Sequence, residues 1–326
     1  MDGKATAIAH PIQGLVKYHG MRDHQLRLPY HESISVCTAP TRSKTTVAFD
    51  ESLQRDDITI DDEPVTGRAA ARLRAVIDRV REIAGTETRV RFKSESDFPT
   101  NVGLGSSSSG FAAAAVASAA AADLSLTKPE LSAIARRGSA SAARSVTGGF
   151  SSLPGGNNDL DCRSKRLETS LESELRIVVG LVPAYKETSR AHEEAAKSHM
   201  FQARLAHIHD QLAELRDALH RGDFDQAFAV AEHDSLSLAA TTMTGPDGWI
   251  YWRPATLSIF HAIRTLREED NIPAYCSTDT GATVYVNTKA STVDDVKQAL
   301  ANCGVETRVL DVGGPARIVD PDRALF

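Results

Sequence analysis

A flexible loop that runs directly into a strong helix former constrains this chain more than any other feature. The stretch PTNVGLGSSSSG, residues 99–110, is rich in glycine and serine, and FAAAAVASAAAA, residues 111–122, follows at once. Alanine has the highest helix propensity, so the second stretch predicts a helix. The first N–H groups of a helix are unpaired and carry partial positive charge, which makes them a binding site for anions. The junction therefore favours a phosphate-binding loop over the alternative, a flexible linker.

The residue types of this loop fit the same interpretation. Glycines at positions 103, 105 and 110 allow the backbone to approach phosphate oxygens closely. The serine hydroxyls at 106–109 add donors, and one of them is placed to reach a magnesium ion that bridges phosphates. No lysine follows the loop, so it is not the P-loop G-x-x-x-x-G-K-[ST].

Composition and charge exclude several classes of protein. The length of 326 residues predicts two domains, and the formal net charge of −6 argues against a general nucleic-acid surface. The chain has no apolar run of about 18 residues and no basic segment preceding an apolar core, so we expect neither a membrane span nor a signal peptide. Four scattered cysteines without a CxxC pair argue against a zinc site and fit a reducing cytoplasm.

The strand patterns predict an α+β protein, with strands grouped early and helices grouped in the middle. TTVAF at 45–49 is expected to be a strand that pairs with DITID at 57–61. LRIVVGLV at 175–182 is typical of a buried strand and is expected to open the second domain. The predicted domains are therefore residues 1–174 and 175–326.

Two helices carry clear end signals. From Thr66, apolar residues recur at helical spacing, and Gly85 is the expected stop. Thr127 can cap the next helix, and Glu130 three residues later completes a capping box.

Five segments together resemble a known family. The loop at 99–110 matches Pro-x-x-x-Gly-Leu-x-Ser-Ser-x-x-Gly and resembles the ATP loop of the GHMP kinase superfamily. VKYHGMRDHQLRLP at 16–29 resembles the VKYWGKRD…LNLP stretch of the mevalonate diphosphate decarboxylases. RRGSASAARSVTGGF at 136–150, STDTGATVYV at 277–286 and DVGGP at 311–315 resemble further segments of that family. The matches span nearly the whole chain in the family's order.

The resemblance implies a fold and a reaction. The fold is a ribosomal protein S5 domain 2-like N-terminal domain followed by a ferredoxin-like C-terminal GHMP domain. The reaction uses ATP and Mg²⁺ to phosphorylate the tertiary 3-hydroxyl of a phosphorylated mevalonate, and loss of that phosphate and of carbon dioxide gives an alkene. We expect a homodimer. The implied nucleotide-binding residues are Gly103, Leu104, Gly105, Ser106, Ser107, Ser108, Gly110 and Arg68, with Ser107 also the magnesium contact.

The resemblance also implies three catalytic residues. Asp279, at a tight turn between two short strands, would orient the 3-hydroxyl or accept its proton. Taken alone, Asp279 is more simply an ordinary turn residue. Arg144 would grip the departing carboxylate, the alternative being an exposed helix arginine. Lys17 would hold Asp279 ionised and meet the transferred phosphoryl group, the alternative being a lysine whose stem packs at a strand edge. The implied substrate-binding residues are Tyr18, Ser139, Ser141, Arg144 and Arg27.

Departures from the family pattern indicate which substrate is used. Met21 replaces a lysine that contacts the diphosphate in the family, and Glu32 adds a negative charge nearby. These changes favour mevalonate 5-phosphate as substrate and isopentenyl phosphate as product, as in the phosphomevalonate decarboxylases of an alternative mevalonate route. Arg27 opposes this inference, because its charge can replace the missing lysine. The alternatives are therefore a mevalonate 5-diphosphate decarboxylase, a mevalonate 3-kinase without decarboxylation, and a non-catalytic binding protein on the same fold.

Overall fold

The fold contains two large β-sheets, and helices pack against each of them. The structure, a computed structural model, describes residues 3–98, 104–184 and 188–326. The strands are β1 (Lys4–Ala9), β2 (Ile12–Val16), β3 (Met21–Asp23), β4 (Leu28–Pro29), β5 (Ser33–Ala39), β6 (Ser43–Phe49), β7 (Asp57–Ile60), β8 (Glu63–Pro64), β9 (Val90–Ser96), β10 (Phe150–Leu153), β11 (Lys165–Arg166), β12 (Leu175–Leu181), β13 (Ala274–Ser277), β14 (Val284–Lys289), β15 (Glu306–Val312) and β16 (Arg317–Ile318). The helices are α1 (Gly67–Ala84), α2 (Ser106–Ala121), α3 (Lys128–Gly138), α4 (Ala140–Thr147), α5 (Leu171–Glu174), α6 (Thr188–Lys197), α7 (Phe201–Arg221), α8 (Phe224–Met243), α9 (Pro254–Glu269) and α10 (Val293–Asn302).

The first sheet has the order β16-β1-β6-β9-β7-β8 and is covered by the alanine-rich helix α2. Most residues of α2 are buried, because the sheet lies on one side and α1, α3 and α4 lie against the others. A helix that is apolar all round is stable only in such a buried position. Its small side chains let the surrounding elements approach closely, and its N-terminus is left at the edge of this core.

The second sheet has the order β11-β10-β5-β15-β12-β14-β13, with β2 also paired to β5. The two faces of β12 explain its unbroken apolar sequence. Ile177 and Val179 pack toward α7 and α8, whereas Val178 packs in a separate core with α9 and α10. A strand covered on both faces needs apolar residues at successive positions.

The end signals read from the sequence are confirmed, and one strand pairing is wrong. α1 ends at Gly85, which has a left-handed backbone with φ 65°, and the Glu130 carboxylate accepts a hydrogen bond from the backbone N–H of Thr127 at 2.9 Å. The predicted pairing of 45–49 with 57–61 does not occur, because β9 lies between β6 and β7. The apolar alternation of β9 buries Val90 and Phe92 and makes it a central strand.

Both sheets contain strands from the two predicted domains. β16 pairs with β1 in the first sheet, and β15 pairs with β5 in the second. The mixed α/β architecture is thus observed, while a domain boundary at residue 174 stays a prediction. Among the described helices, none combines the length and apolar character needed to cross a membrane.

Candidate active site

The turn between β13 and β14, which carries Asp279, is hydrogen-bonded to strand β2. The backbone N–H of Gly14 donates to Asp279 Oδ1 at 3.2 Å, and Ser277 Oγ donates to the Gly14 carbonyl at 3.2 Å. The backbone N–H of Thr278 donates to Ser235 Oγ on α8 at 3.2 Å. These three bonds fasten the β13–β14 turn to β2 and α8, and they hold the half-buried carboxylate over the strand.

Lys17 lies just beyond the end of β2 with only 5% of its surface exposed. Its ammonium donates to Ser235 Oγ at 2.9 Å and to the Leu15 carbonyl at 3.3 Å, and it forms an ion pair with Asp234 at 3.5 Å. Burial lowers the pKa of Lys17 from its usual value, while the charges of Asp234 and Asp279 act in the opposite direction. The lysine is therefore next to Asp279, as predicted, but its contacting carboxylate is Asp234.

Sequence reasoning missed Asp234 and its second partner, Arg204. Asp234 is fully buried, and its Oδ1 accepts from Arg204 Nη2 at 2.8 Å. On α8, position 234 lies on the same face as the buried residues Ala227, Ala231 and Leu238. A charged residue on the apolar face of an amphipathic helix is the signal that could have identified it, because such charges are buried only when paired.

Arg144, on α4, is 2% exposed and lies near the Asp279 carboxylate. Its guanidinium carbon is 5.5 Å from the centre of the Tyr18 ring. Within the part of the chain that the structure describes, its Nε and Nη1 atoms make no hydrogen bond. Burial lowers the pKa of Arg144, and the Asp279 charge opposes that shift. Buried donors of this kind are costly unless paired, so the arrangement fits a ligand carboxylate.

The start of α4 presents two serine hydroxyls. Ser139 and Ser141 are joined by a hydrogen bond of 2.8 Å between their Oγ atoms. Ser139 is extended, with φ −158°, and immediately precedes the helix. The backbone N–H groups at the start of α4 lie beside these hydroxyls, which is a favourable environment for an anion.

Arg27 from the β3–β4 turn and Arg72 from α1 lie near Tyr18, and Arg68 from α1 lies near these two arginines. Arg27 has a left-handed backbone, φ 53°, and its Nε donates to the Arg137 carbonyl at 3.1 Å. Arg72, which sequence reasoning missed, donates to the Gly138 carbonyl at 2.7 Å. Burial and the neighbouring Arg27 charge lower the pKa of Arg72 to about 10. Arg68 is exposed and contributes to the same positive field. No ion pair links these three to an acid among the described residues.

The predicted nucleotide loop is described from Leu104 onward, and Gly103 lies outside the described residues. Gly105 precedes α2 with a left-handed φ of 74°, a conformation that glycine adopts without strain. The helix begins at Ser106, so the serines belong to its first turn rather than to a loop. Ser106 is half-buried and Ser107 is exposed, which leaves their hydroxyls at the surface of that turn.

Two other residues of the predicted loop, Ser108 and Leu104, have roles within the protein, and the structure gives no reason for a glycine at the third, Gly110. Ser108 Oγ donates to the Gly105 carbonyl at 2.6 Å and accepts from the Ile12 N–H at 3.1 Å. Its backbone N–H also bonds to the Gly105 carbonyl, so its donors hold the loop against β2 and are not free for phosphate. Leu104 is buried in the core of the second sheet. Gly110 lies inside α2, and a Cβ there would meet no atom within 4 Å, so no close approach requires a glycine.

The two substitutions that suggested a smaller substrate charge have different environments. Met21 is buried in an apolar cluster with Tyr18 and Leu28, so this position carries no charge into the site. Glu32 forms an ion pair with Arg216 on α7. The Glu32 charge is therefore balanced within the protein, and its effect on the choice of substrate stays a prediction.

Together, these residues place a carboxylate, a buried ammonium and a buried guanidinium around β2, with two helix starts nearby. Among the described residues, no group of three or more His, Cys, Asp or Glu side chains is arranged to hold a metal ion. The arrangement can orient a hydroxyl at Asp279, bind a carboxylate at Arg144 and bind anions at the starts of α2 and α4.

Comparisons with known proteins identify relatives of this architecture. A diphosphomevalonate decarboxylase-like N-terminal domain matches residues 9–164. Phosphomevalonate decarboxylase of Haloferax volcanii is 64% identical over 323 residues, which cover 99% of this chain and 100% of that protein. The crystal structure of mevalonate diphosphate decarboxylase from Staphylococcus aureus superposes with a TM-score of 0.93 at 27% identity, covering 98% of this chain and 99% of that one. MDDEF in complex with MVAPP, AMPPCP and magnesium superposes with a TM-score of 0.91 at 26% identity, covering 98% of this chain and 100% of that one.

Proposed function

The chain belongs to the diphosphomevalonate decarboxylase-like family, and from that membership we propose that it is an ATP-dependent phosphomevalonate decarboxylase. It converts mevalonate 5-phosphate to isopentenyl phosphate in an alternative mevalonate pathway of isoprenoid biosynthesis. The observation that carries the proposal is the buried guanidinium of Arg144, whose Nε and Nη1 have no partner among the described residues and which lies near Asp279. A 3-hydroxy acid, whose hydroxyl is on the carbon next to the one that bears the carboxylate, satisfies both groups.

Each residue around β2 has a separate task. Asp279 orients the 3-hydroxyl and accepts its proton as the oxygen becomes phosphorylated. Lys17 offsets the negative charge that gathers on the transferred group. Arg144 holds the carboxylate so that its C–C bond is aligned with the breaking C–O bond. Phosphate leaves with the electrons of that C–O bond, and the C–C electrons form the alkene as carbon dioxide departs.

ATP with magnesium supplies the phosphoryl group, and the first turn of α2 fits its phosphates. Gly105 lets the backbone approach, and the hydroxyls of Ser106 and Ser107 lie at the surface of the turn. Ser107 is the proposed magnesium contact, since this ion keeps most of its ligands as water and phosphate oxygens. Arg68 adds positive charge for the nucleotide. We assign Ser108 to holding the loop and not to the phosphates.

The 5-phosphate is proposed to lie between the start of α4 and the arginines near Tyr18. Ser139 and Ser141 offer hydroxyls, and Arg27 and Arg72 offer charge. The buried Met21 favours one phosphate over two, because a thioether cannot pair with the second. The charges of Arg27 and Arg72, which form no ion pair with an acid among the described residues, favour the alternative substrate, mevalonate 5-diphosphate.

A comparison of three substrates under identical conditions tests the proposal. Mevalonate, its 5-phosphate and its 5-diphosphate are each supplied with ATP and magnesium, and products are identified by mass spectrometry. We expect the 5-phosphate to give the highest kcat/KM and to release carbon dioxide. One charge-assisted contact is worth about 1.5–3 kcal/mol, roughly a tenfold to hundredfold preference. Met21→Lys should shift the preference toward the diphosphate, with Met21→Leu as the matched apolar control.

Three outcomes would overturn the proposal in different ways. Higher kcat/KM with the 5-diphosphate would assign the chain to the diphosphate-using enzymes. An accumulating 3,5-bisphosphate without carbon dioxide would make it a mevalonate 3-kinase. Failure to hydrolyse ATP with all three compounds would indicate a binding protein.

Finer features of the architecture belong to the same proposal. We assign residues 1–174 to a ribosomal protein S5 domain 2-like domain and 175–326 to a ferredoxin-like GHMP domain. We also propose a homodimer that works in the cytoplasm. Sedimentation velocity over a range of protein concentrations tests the dimer, and a mass of one chain at every concentration would contradict it.

A further inference from the structure

A buried cluster of three charges lies behind the candidate active site. In the Lys17–Asp234 pair, the side chains are 6% and 0% exposed, and in the Arg204–Asp234 pair they are 1% and 0% exposed. Charges this deeply buried are costly unless well paired, so a cluster of this kind needs a reason beyond stability.

Asp234 and Arg204 hold both backbone polar groups of Lys17. The Lys17 N–H donates to Asp234 Oδ2 at 3.0 Å, and Arg204 Nη2 donates to the Lys17 carbonyl at 2.7 Å. Arg204 is itself fixed by Asp234 Oδ1 at 2.8 Å and by Ser237 Oγ at 2.8 Å. The peptide that carries the lysine is therefore held from both sides by helices α7 and α8.

The same aspartate also pairs with the lysine side chain. Asp234 Oδ2 is 3.5 Å from Lys17 Nζ, whereas Asp279 Oδ1 accepts from the Gly14 N–H. The positive charge of Lys17 thus has a counterion that is separate from the carboxylate facing the substrate. Asp279 is left able to accept a hydrogen bond from the substrate hydroxyl.

We propose that Asp234 and Arg204 are positioning residues that form a buried clamp on Lys17, with Asp234 as the permanent counterion of its ammonium group. The proposal rests on the proposed function, in which Lys17 acts in its charged form on the transferred phosphoryl group. The clamp fixes where the ammonium lies and over which pH range it stays charged.

The charged groups around Lys17 predict opposite effects for the two partners. Asp234 from α8 and Asp279 from the β13–β14 turn favour the charged form, and Arg204 from α7 opposes it. His31, which faces Asp234 and Arg204, has its pKa lowered by burial to about 4 and is neutral near pH 7. Removing the aspartate lowers the pKa of Lys17, while removing the guanidinium raises it.

The test is the pH dependence of kcat in the full-length enzyme, with saturating ATP, magnesium and mevalonate 5-phosphate. Activity is expected to fall on the alkaline side as Lys17 loses its proton. Asp234→Asn should move this limb to lower pH by about one unit or more. Arg204→Met should move it to higher pH. A purely structural pair would reduce kcat without moving the limb in opposite directions.

A matched control comes from another buried ion pair. Arg81 and Asp56 have side chains 5% and 6% exposed and lie between α1 and the segment before β7. Asp56→Asn should reduce stability and leave the alkaline limb in place. If Asp234→Asn does not fold, the double variant Asp234→Asn/Arg204→Met, which retains one buried cation, is measured instead. Its limb should also lie below that of the unmodified enzyme, because of the two substituted side chains Asp234 is the one that contacts the ammonium.

The possible results separate the clamp from the proposed function. A folded Asp234→Asn enzyme, or the double variant in its place, whose alkaline limb matches that of the unmodified protein would overturn the clamp. An unmodified protein without activity on mevalonate 5-phosphate would overturn the proposed function instead. The clamp is then tested without an activity assay, by a ¹⁵N NMR titration of the lysine side chains. Lys17 should lose its proton at lower pH in Asp234→Asn than in the unmodified protein. An unchanged Lys17 titration would reject the clamp.

Discussion

Gly14 is the position where one added methyl group should most damage this site. A Cβ at Gly14 would lie 2.7 Å from Lys17 Cγ and 3.0 Å from Asp279 Oδ1. Carbon atoms in contact prefer about 3.5–4.0 Å, so Gly14→Ala must push the lysine stem away by roughly 1 Å. The backbone of Gly14 is not in the left-handed region, so alanine adds crowding but no backbone strain.

The displacement of the lysine side chain can be converted into an expected loss of catalytic rate. Lys17 Nζ is held by bonds of 2.9 Å and 3.3 Å, and a shift of roughly 1 Å breaks at least one of them. Misplacement of a catalytic group by that distance costs on the order of 10²-fold in rate, about 2.7 kcal/mol in the barrier. Overpacking of a buried site costs about 1–3 kcal/mol of folding stability, which a chain of this size can tolerate.

The assay compares kcat for carbon dioxide release with the affinity for ATP measured by calorimetry. We expect Gly14→Ala to lose activity by about 10²-fold and to bind ATP normally, since the α2 turn is not touched. Gly314→Ala is the control, because a Cβ there meets no atom within 4 Å. A Gly14→Ala enzyme with kcat within twofold of Gly314→Ala would refute the placement of Lys17 and Asp279 in the mechanism.

Three further predictions follow from single residues. Asp279→Asn should abolish turnover while ATP still binds, and full activity in a steady-state assay would remove Asp279 from the mechanism. Burial lowers the pKa of His31 to about 4 in the folded protein. Between pH 6.5 and pH 4, His31 is therefore protonated in the unfolded chain and neutral in the folded protein. Stability should therefore fall by up to about 3 kcal/mol between pH 6.5 and pH 4, and urea titrations of His31→Gln should lack this loss. Gly148 has φ 76°, and a Cβ there would lie 2.2 Å from the Pro315 nitrogen. Gly148→Ala should lower the free energy of unfolding by more than about 2 kcal/mol, and an unchanged urea midpoint would contradict this.

Local signals in this sequence predicted local structure well. The end of α1 at Gly85 and the cap formed by Thr127 and Glu130 depend on residues a few positions apart, and both are confirmed. The pairing of β6 with β7 was wrong because adjacency in sequence does not determine strand order. The competing strand β9 arrives only after helix α1 and inserts between them.

The candidate site was also predicted only in part, because local segments were recognised and distant partners were not. Segments resembling a known family predicted Lys17, Arg144 and Asp279, and the structure places them close together. Asp234 and Arg204 were missed because they are 217 and 187 positions from Lys17, and neither lies in a segment that resembled the family. Only the incompatibility of a charge with the apolar face of α8 indicated that Asp234 needed a partner.

The position of β2 explains why the site cannot be assigned to one half of the chain. Gly14 bonds to Asp279, and Lys17 bonds to Asp234, so the strand from the N-terminal half is completed by residues beyond position 174. Each large sheet also joins strands from the two halves, since β16 pairs with β1 and β15 pairs with β5. The start of α2, which we propose binds phosphate, lies in one half, and the turn that carries Asp279 lies in the other. Both bond to β2, so the proposed reaction centre depends on these bonds. The candidate site therefore requires both halves of the chain to be in place, because β2 contacts residues from each.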